Sequence, residues 1–265
     1  MFGSIGFATR IKYLLVVISL SIFHYRKVVN GFTPEHRGHG RLFLDTADRT
    51  IWDELLPTGI FHGVTTNPTL LERANEPCTV ENLHSMASEA LELTNEFMCQ
   101  AWGSTAEQMY DCGMELSAYD RERIVIKVPV TQQGVEAASR LIRQGNCRVC
   151  LTACYDSKQA MIAANVGAEY LAPYLGRMTD AGKNGMQECL QMNQIATGMK
   201  SSVRILVASI RQVSDMTDLA AQGMETFTFS PDIARELLQD TMTTKAATVF
   251  EEEAAQNSAE DFDEF

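Results

Sequence analysis

Positive charge is what this chain lacks most. Its 265 residues carry 22 Lys and Arg against 34 Asp and Glu, a net charge of −12. The balance is uneven: +4 in the first 40 residues and −7 in the last 15 leave −9 for the body between them. An acidic body offers no electrostatic footprint for a phosphate backbone, so nucleic acid is not expected as a partner. Any anionic substrate has to be held by a few local arginines. No cysteine stands before Cys78, and the total of seven is odd. In a chain long enough to bury one large core this is no disulfide framework, and it points to an intracellular reducing compartment. Cys147 and Cys150 have zinc-like spacing, but they flank the start of an apolar run, and an odd offset on a strand sends the two sulfurs to opposite faces. No metal is expected. No G-x-G-x-x-G follows the first strand-like run, which argues against a dinucleotide site.

An apolar run of membrane-spanning length is missing too. The uncharged stretch of residues 13–23 lies between Arg10 and Lys12 on one side and Arg26 and Lys27 on the other, and is too short to cross a bilayer comfortably. It has the outline of a signal peptide, although no clean small-x-small cleavage site follows. Such a start ahead of a cysteine-bearing body fits two-step delivery into an organelle such as a plastid. A monotopic anchor or a misassigned first exon are the alternatives, and membrane contact is expected only through this extension. Residues 28–40, with Gly31, Pro34, Gly38 and Gly40, read as a linker.

What is present from Arg41 onward is a regular alternation. Short apolar runs at 42–45, 63–65, 97–101, 124–129, 149–153, 170–172, 205–208 and 226–229 read as strands. Amphipathic stretches between them, such as 134–144, 157–166, 186–196 and 213–222, read as helices. Eight strands with helical crossovers in about 210 residues predict a single (β/α)8 barrel over 41–240, with a doubly wound sheet as the structural alternative. Residues 241–255 read as an extra helix with an apolar stripe of Met242, Ala246, Val249 and Phe250, running into an acidic tail that ends at Phe265.

One residue stands out inside a strand. Lys127 sits in Ile124-Val125-Ile126-Lys127-Val128-Pro129-Val130, where period-two alternation puts it on the face of Val125 and Pro129, opposite Ile124, Ile126 and Val128. Burying a charged amine costs several kcal/mol, so such a group either pairs with a carboxylate or loses its proton, and a neutral desolvated lysine is a nucleophile for carbonyl carbon. A stem that packs while its head reaches solvent, or a buried ion pair, is the bland alternative.

Barrel chemistry gathers at the C-terminal ends of the strands, and polar residues fall there repeatedly: Asp45, Thr65-Thr66-Asn67, Gln100, Lys127, Thr152, Tyr174 with Arg177, and Ser209 with Arg211. Each has a dull explanation. Asp45 would cap the helix starting near Asp48, the threonines would form turns, and the arginines would pair with surface carboxylates. Jointly they carry a resemblance. The segments LFLDTAD, GVTTNPTLL, IVIKVPVT, LTACYDSKQA, YLAPYLGR and ILVASIR, in this order, resemble the transaldolase family and, more narrowly, its small fructose-6-phosphate aldolase-like branch, from about Arg41 to Ala255.

The resemblance implies a class I aldol mechanism in a (β/α)8 barrel, with no metal or cofactor and a sugar phosphate as substrate. Lys127 matches the Schiff-base lysine, and Asp45 the carboxylate that handles the C4 hydroxyl proton. Asn67, with Thr66 beside it, matches a position that bonds substrate hydroxyls. Thr152 and Gln100 would position a water, with Tyr174 as acid/base partner. Ser209, Arg211 and Arg177 match the phosphate grip. Gln100 and Tyr174, where transaldolases proper carry Glu and Phe, resemble the aldolase-like branch, whereas Arg211 resembles transaldolases proper. The readings are therefore cleavage of a ketose phosphate such as fructose 6-phosphate or, as alternative, dihydroxyacetone transfer to erythrose 4-phosphate in the pentose phosphate pathway. A silent sugar-phosphate-binding barrel is the reading from another class. The resemblance also implies a homo-oligomeric ring in which the terminal helix reaches a neighbour.

Overall fold

The computed structural model describes residues 40–260. The signal-like stretch and nearly all of the linker lie outside the described residues, as does the end of the acidic tail. From Arg41 the chain lays down eight parallel strands: β1 (Arg41–Asp45), β2 (Gly63–Thr65), β3 (Glu96–Gln100), β4 (Ile124–Pro129), β5 (Arg148–Cys154), β6 (Tyr170–Pro173), β7 (Arg204–Ile205) and β8 (Thr226–Phe229). They pair in the order β7-β6-β5-β4-β3-β2-β1-β8. Closure comes from Val207, whose N–H donates to Thr226 O (3.0 Å) and whose carbonyl accepts from Thr228 N (2.9 Å). The result is a (β/α)8 barrel with helices outside it. The seventh strand is shorter than the expected 205–208: regular pairing stops at Ile205, and Val207 and Ala208 continue it as single bridges to Phe227 and Tyr174. The chain leaves the sheet at Ser209, whose φ of +57° no strand accommodates. The third strand begins one residue early, at Glu96.

Alternation along the strands divides the apolar residues into two cores. Outward residues such as Ile124, Ile126, Val128, Phe97, Phe227 and Phe229 pack against helix faces, with Met86, Ala87 and Ala90 from Val80–Leu93 and Ala137, Ala138 and Leu141 from Gln132–Arg143. Inward residues form a smaller cluster of Phe43, Met98, Val125, Cys150, Tyr170, Ala172 and Leu206. Helix starts are fixed by side-chain caps: Thr79, Thr105, Thr131 and Ser230 each accept a main-chain N–H of the first turn, and each cap is worth about 1 kcal/mol.

The interior is layered. Below the apolar middle, at the N-terminal end, charges interlock. Glu96, 4 % exposed, accepts from Arg148 Nη2 (2.6 Å), Arg41 Nη1 (3.1 Å) and the Tyr170 hydroxyl (2.7 Å), and His62 Nε2 lies 3.1 Å away. Arg148 also pairs with Glu169, and Arg41 donates to Tyr170. Burial pushes the Glu96 carboxyl up, but His62 and Arg148 outweigh it and hold the group at about 2. Burial and the Glu96 charge push the Tyr170 hydroxyl up, and Arg148 is held up against its burial by Glu169 and Glu96. Above the middle, at the C-terminal mouth, stand the residues of the site.

The last helix, Thr241–Glu260, is longer than expected and does not pack its stripe on its own barrel: Met242 is 81 % exposed and Phe250 66 %. Among the described residues no helix is long and apolar enough to cross a membrane.

Candidate active site

Lys127 is carried into the barrel by β4. Its inward neighbour one turn of the pleat below is Val125, and its register partners are Gln100 on β3 and Cys150 on β5. The side chain is 5 % exposed, and Nζ donates to the main-chain carbonyl of Thr66 (3.0 Å). Among the described residues no carboxylate lies within ion-pair distance of it, so it is neither a snorkelling stem nor half of a buried salt bridge. The thiol next to it is not a competing nucleophile. Burial pushes Cys150 up to about 12, and the nearby Lys127 charge offsets this only in part.

Asp45 closes β1. It does not cap the following helix; Asp48 does, accepting from Thr50 N at 2.9 Å. Asp45 Oδ1 accepts instead from Thr65 Oγ1 (2.6 Å), which in turn lies 2.5 Å from Thr228 Oγ1. Asn67 Oδ1 caps Pro68–Arg73 by accepting from Leu70 N (3.1 Å), which leaves its amide NH2 to face outward from the cap. Thr66 is fully buried and its hydroxyl has no partner, so its contribution to the mouth is its carbonyl on Lys127.

Across the mouth, β5 breaks its register between Leu151 and Cys154. Ala153 there has φ +56°, a left-handed value that costs a residue with a side chain. The bulge brings the Thr152 hydroxyl, 1 % exposed, to 3.0 Å from the Tyr174 hydroxyl. Arg177 stacks on the Tyr174 ring at 4.9 Å and donates to the Tyr155 hydroxyl at 3.5 Å, while Tyr155 meets Tyr174 edge-on. The hydrogen bond to Tyr155 leads the causes that hold the Arg177 guanidinium above its ordinary value, and the nearby Asp45 carboxylate adds to it. Thus Thr152, Tyr174, Arg177 and Asp45 share one neighbourhood.

Ser209 and Arg211 lie at its edge. The Ser209 carbonyl accepts from Gly176 N (2.9 Å), and a Cβ at Gly176 would sit 2.4 Å from that carbonyl and 2.7 Å from Arg211 Nε. Only a glycine permits the approach. Arg211 itself donates to Asp180 (2.9 Å), with both side chains more than half exposed. Of the two arginines, then, among the described residues only this one pairs with a surface carboxylate. An open hollow of about 480 Å³ adjoins it, lined by Gly176, Asp180, Lys183, Arg211 and Asp215 among others.

Two members of this arrangement were not singled out from sequence, Thr228 and Tyr155, and Thr65 was given no role beyond its place at a strand end. Thr228 had a legible signal, since Thr226-Phe227-Thr228-Phe229 alternates and puts both threonines on the inner face.

The family model described as "Transaldolase/Fructose-6-phosphate aldolase" matches residues 42–264. A relative named "Probable transaldolase" from Phenylobacterium zucineum (strain HLK1) is 30% identical over 211 residues, covering 79% of this chain and 94% of its own. One of the same name from Chelativorans sp. (strain BNC1) is 31% identical over 218 residues, with the same coverage. Among solved structures, one described as "Native KDPGal structure" overlays with a TM-score of 0.51 at 12% identity, covering 73% of this chain and 84% of that one. At that identity the likeness is one of fold.

Proposed function

This chain belongs to the transaldolase/fructose-6-phosphate aldolase family and is a transaldolase-type enzyme, and we propose that it cleaves or transfers the dihydroxyacetone unit of a ketose phosphate, such as fructose 6-phosphate, through an imine on Lys127. One observation carries the reading: a buried amine without a carboxylate partner, aimed into a mouth ringed by hydroxyl and carboxyl groups. In this mechanism Nζ of the free amine adds to the C2 carbonyl, and loss of water leaves an iminium. Asp45 takes the proton of the C4 hydroxyl. The C4–O electrons become a carbonyl, the C3–C4 bond breaks, and its electron pair is held as an enamine with the iminium nitrogen as sink. The aldose phosphate departs.

The fate of the enamine sets the reaction. A water held by the Thr152 and Tyr174 hydroxyls, with Gln100 beside Lys127, protonates C3, and hydrolysis then frees dihydroxyacetone and the amine. This favours cleavage. Arg211 favours the second reading, transfer, because with Arg177 it offers paired donors to the phosphate of an incoming aldose. The test is product analysis with fructose 6-phosphate, with and without erythrose 4-phosphate, beside Lys127→Met. Free dihydroxyacetone in both mixtures supports cleavage, sedoheptulose 7-phosphate supports transfer, and turnover retained in Lys127→Met refutes the imine.

The exposed stripe of Thr241–Glu260 supports assembly into a homo-oligomer through that helix. Light scattering on a chain truncated before Thr241 tests it, since an unchanged mass would exclude this contact.

A further inference from the structure

We infer that Thr228 is a positioning residue for the aldol step, acting on Asp45 through Thr65, an inference that rests on the reaction proposed above. The three groups come from β8, β2 and β1 and form a buried chain: Thr228 Oγ1 to Thr65 Oγ1 at 2.5 Å and Thr65 Oγ1 to Asp45 Oδ1 at 2.6 Å, with Thr228 3 % and Thr65 0 % exposed. Each hydroxyl owns one proton. A carboxylate only accepts, so with Asp45 ionised the Thr65 proton goes to Asp45, and the contact between the two threonines has to use the proton of Thr228. The order of donation is thereby fixed: Thr228 to Thr65, Thr65 to Asp45. Each bond polarises the next, and both threonines are stiff at χ1.

The consequence lies at the other carboxylate oxygen. Oδ1 is occupied by Thr65, whereas Oδ2 has no hydrogen-bond partner among the described residues. The chain therefore locks the carboxyl plane and leaves one oxygen free for the C4 hydroxyl. The β8 edge is where this lock is needed, because among the described residues its backbone pairing on the far side runs through the single residue Val207. Thr228 ties β8 to β2 across the end of β1 by side chains, at the height of the mouth.

Imine formation at Lys127 needs no proton from C4, so the two roles separate in one experiment. Wild type, Thr228→Val, Thr228→Ala and Thr228→Ser are each assayed for cleavage of fructose 6-phosphate and, separately, for borohydride trapping with dihydroxyacetone alone. In Thr228→Val, kcat for cleavage is expected to fall about tenfold, a fraction of the ~10²–10⁴-fold that positioned acid–base groups supply. KM and the trapped adduct stay as in wild type, and Thr228→Ser restores kcat. Thr228→Ala gives the same pattern as Val should the branched side chain disturb folding. An unchanged kcat in folded Thr228→Val or Thr228→Ala, or equal losses of trapping and cleavage, would overturn the role of Thr228 while leaving the imine standing. Absence of an adduct on wild-type Lys127 would overturn the imine and the Thr228 role together.

Discussion

The two ends of this barrel are built on opposite rules. At the N-terminal end charges answer one another: Glu96 is held by Arg41, Arg148 and Tyr170, with His62 at 3.1 Å, and Arg148 reaches Glu169 as well. At the C-terminal end a buried lysine has one carbonyl, and a carboxylate has one hydroxyl. Saturated partners stabilise and leave nothing over for a ligand, while unsaturated ones cost folding energy and are open to substrate. The same eight strands thus present a closed charged floor and an open polar mouth, with an apolar layer insulating one from the other.

Substitutions at the two ends therefore act in opposite senses on turnover and stability. The largest effect is expected at the mouth: Lys127→Met removes turnover, by ~10⁴-fold or more, yet leaves thermal stability equal or higher, because an apolar side chain replaces an amine with a single hydrogen bond. Turnover and melting temperature on one preparation check both halves. At the floor the signs reverse. Glu96→Ala leaves the partly buried guanidinium groups of Arg41 and Arg148 with Glu169 alone and is expected to cost about 3 kcal/mol in urea unfolding, while kcat per folded molecule is unchanged.

Acid sharpens the contrast further. Glu96 sits at about 2 when folded against an ordinary 4.5, so it binds its proton more readily in the unfolded chain. Its contribution, roughly 3 kcal/mol, is complete above about pH 4.5 and is lost as pH falls toward 2. Unfolding midpoints across that window show the loss in wild type and its absence in Glu96→Gln. The smallest effect belongs to Thr226, whose hydroxyl is buried on the inner face without a partner. Thr226→Val is expected to be neutral or to stabilise by about 1 kcal/mol, and denaturant titration reads it directly.

Much of this architecture was legible because both periodicities are strong. The inward face of β4 followed from Lys127 standing among alternating β-branched residues, and the eight strands fell near their expected places. What escaped had physical reasons. Glu96 and Arg148 were not singled out, since only closure of the sheet brings polar groups from β1, β3, β5 and β6 to one point. Thr65 and Thr228 are 163 residues apart, and their contact exists only because β8 returns to β1. The bulge at Ala153 needs a residue without φ preference to announce it, and alanine gives no such signal. The apolar stripe of the last helix was equally consistent with packing on the barrel, and only its exposure separates the two.

In the proposed reaction the lone amine of the mouth forms the covalent bond. Incubating the protein with fructose 6-phosphate, reducing with borohydride and locating the adduct by peptide mass tests it most directly. A dihydroxyacetone-sized addition on Lys127, absent from Lys127→Met, is the predicted result. An unmodified Lys127 in a preparation that turns over the sugar phosphate would contradict the account.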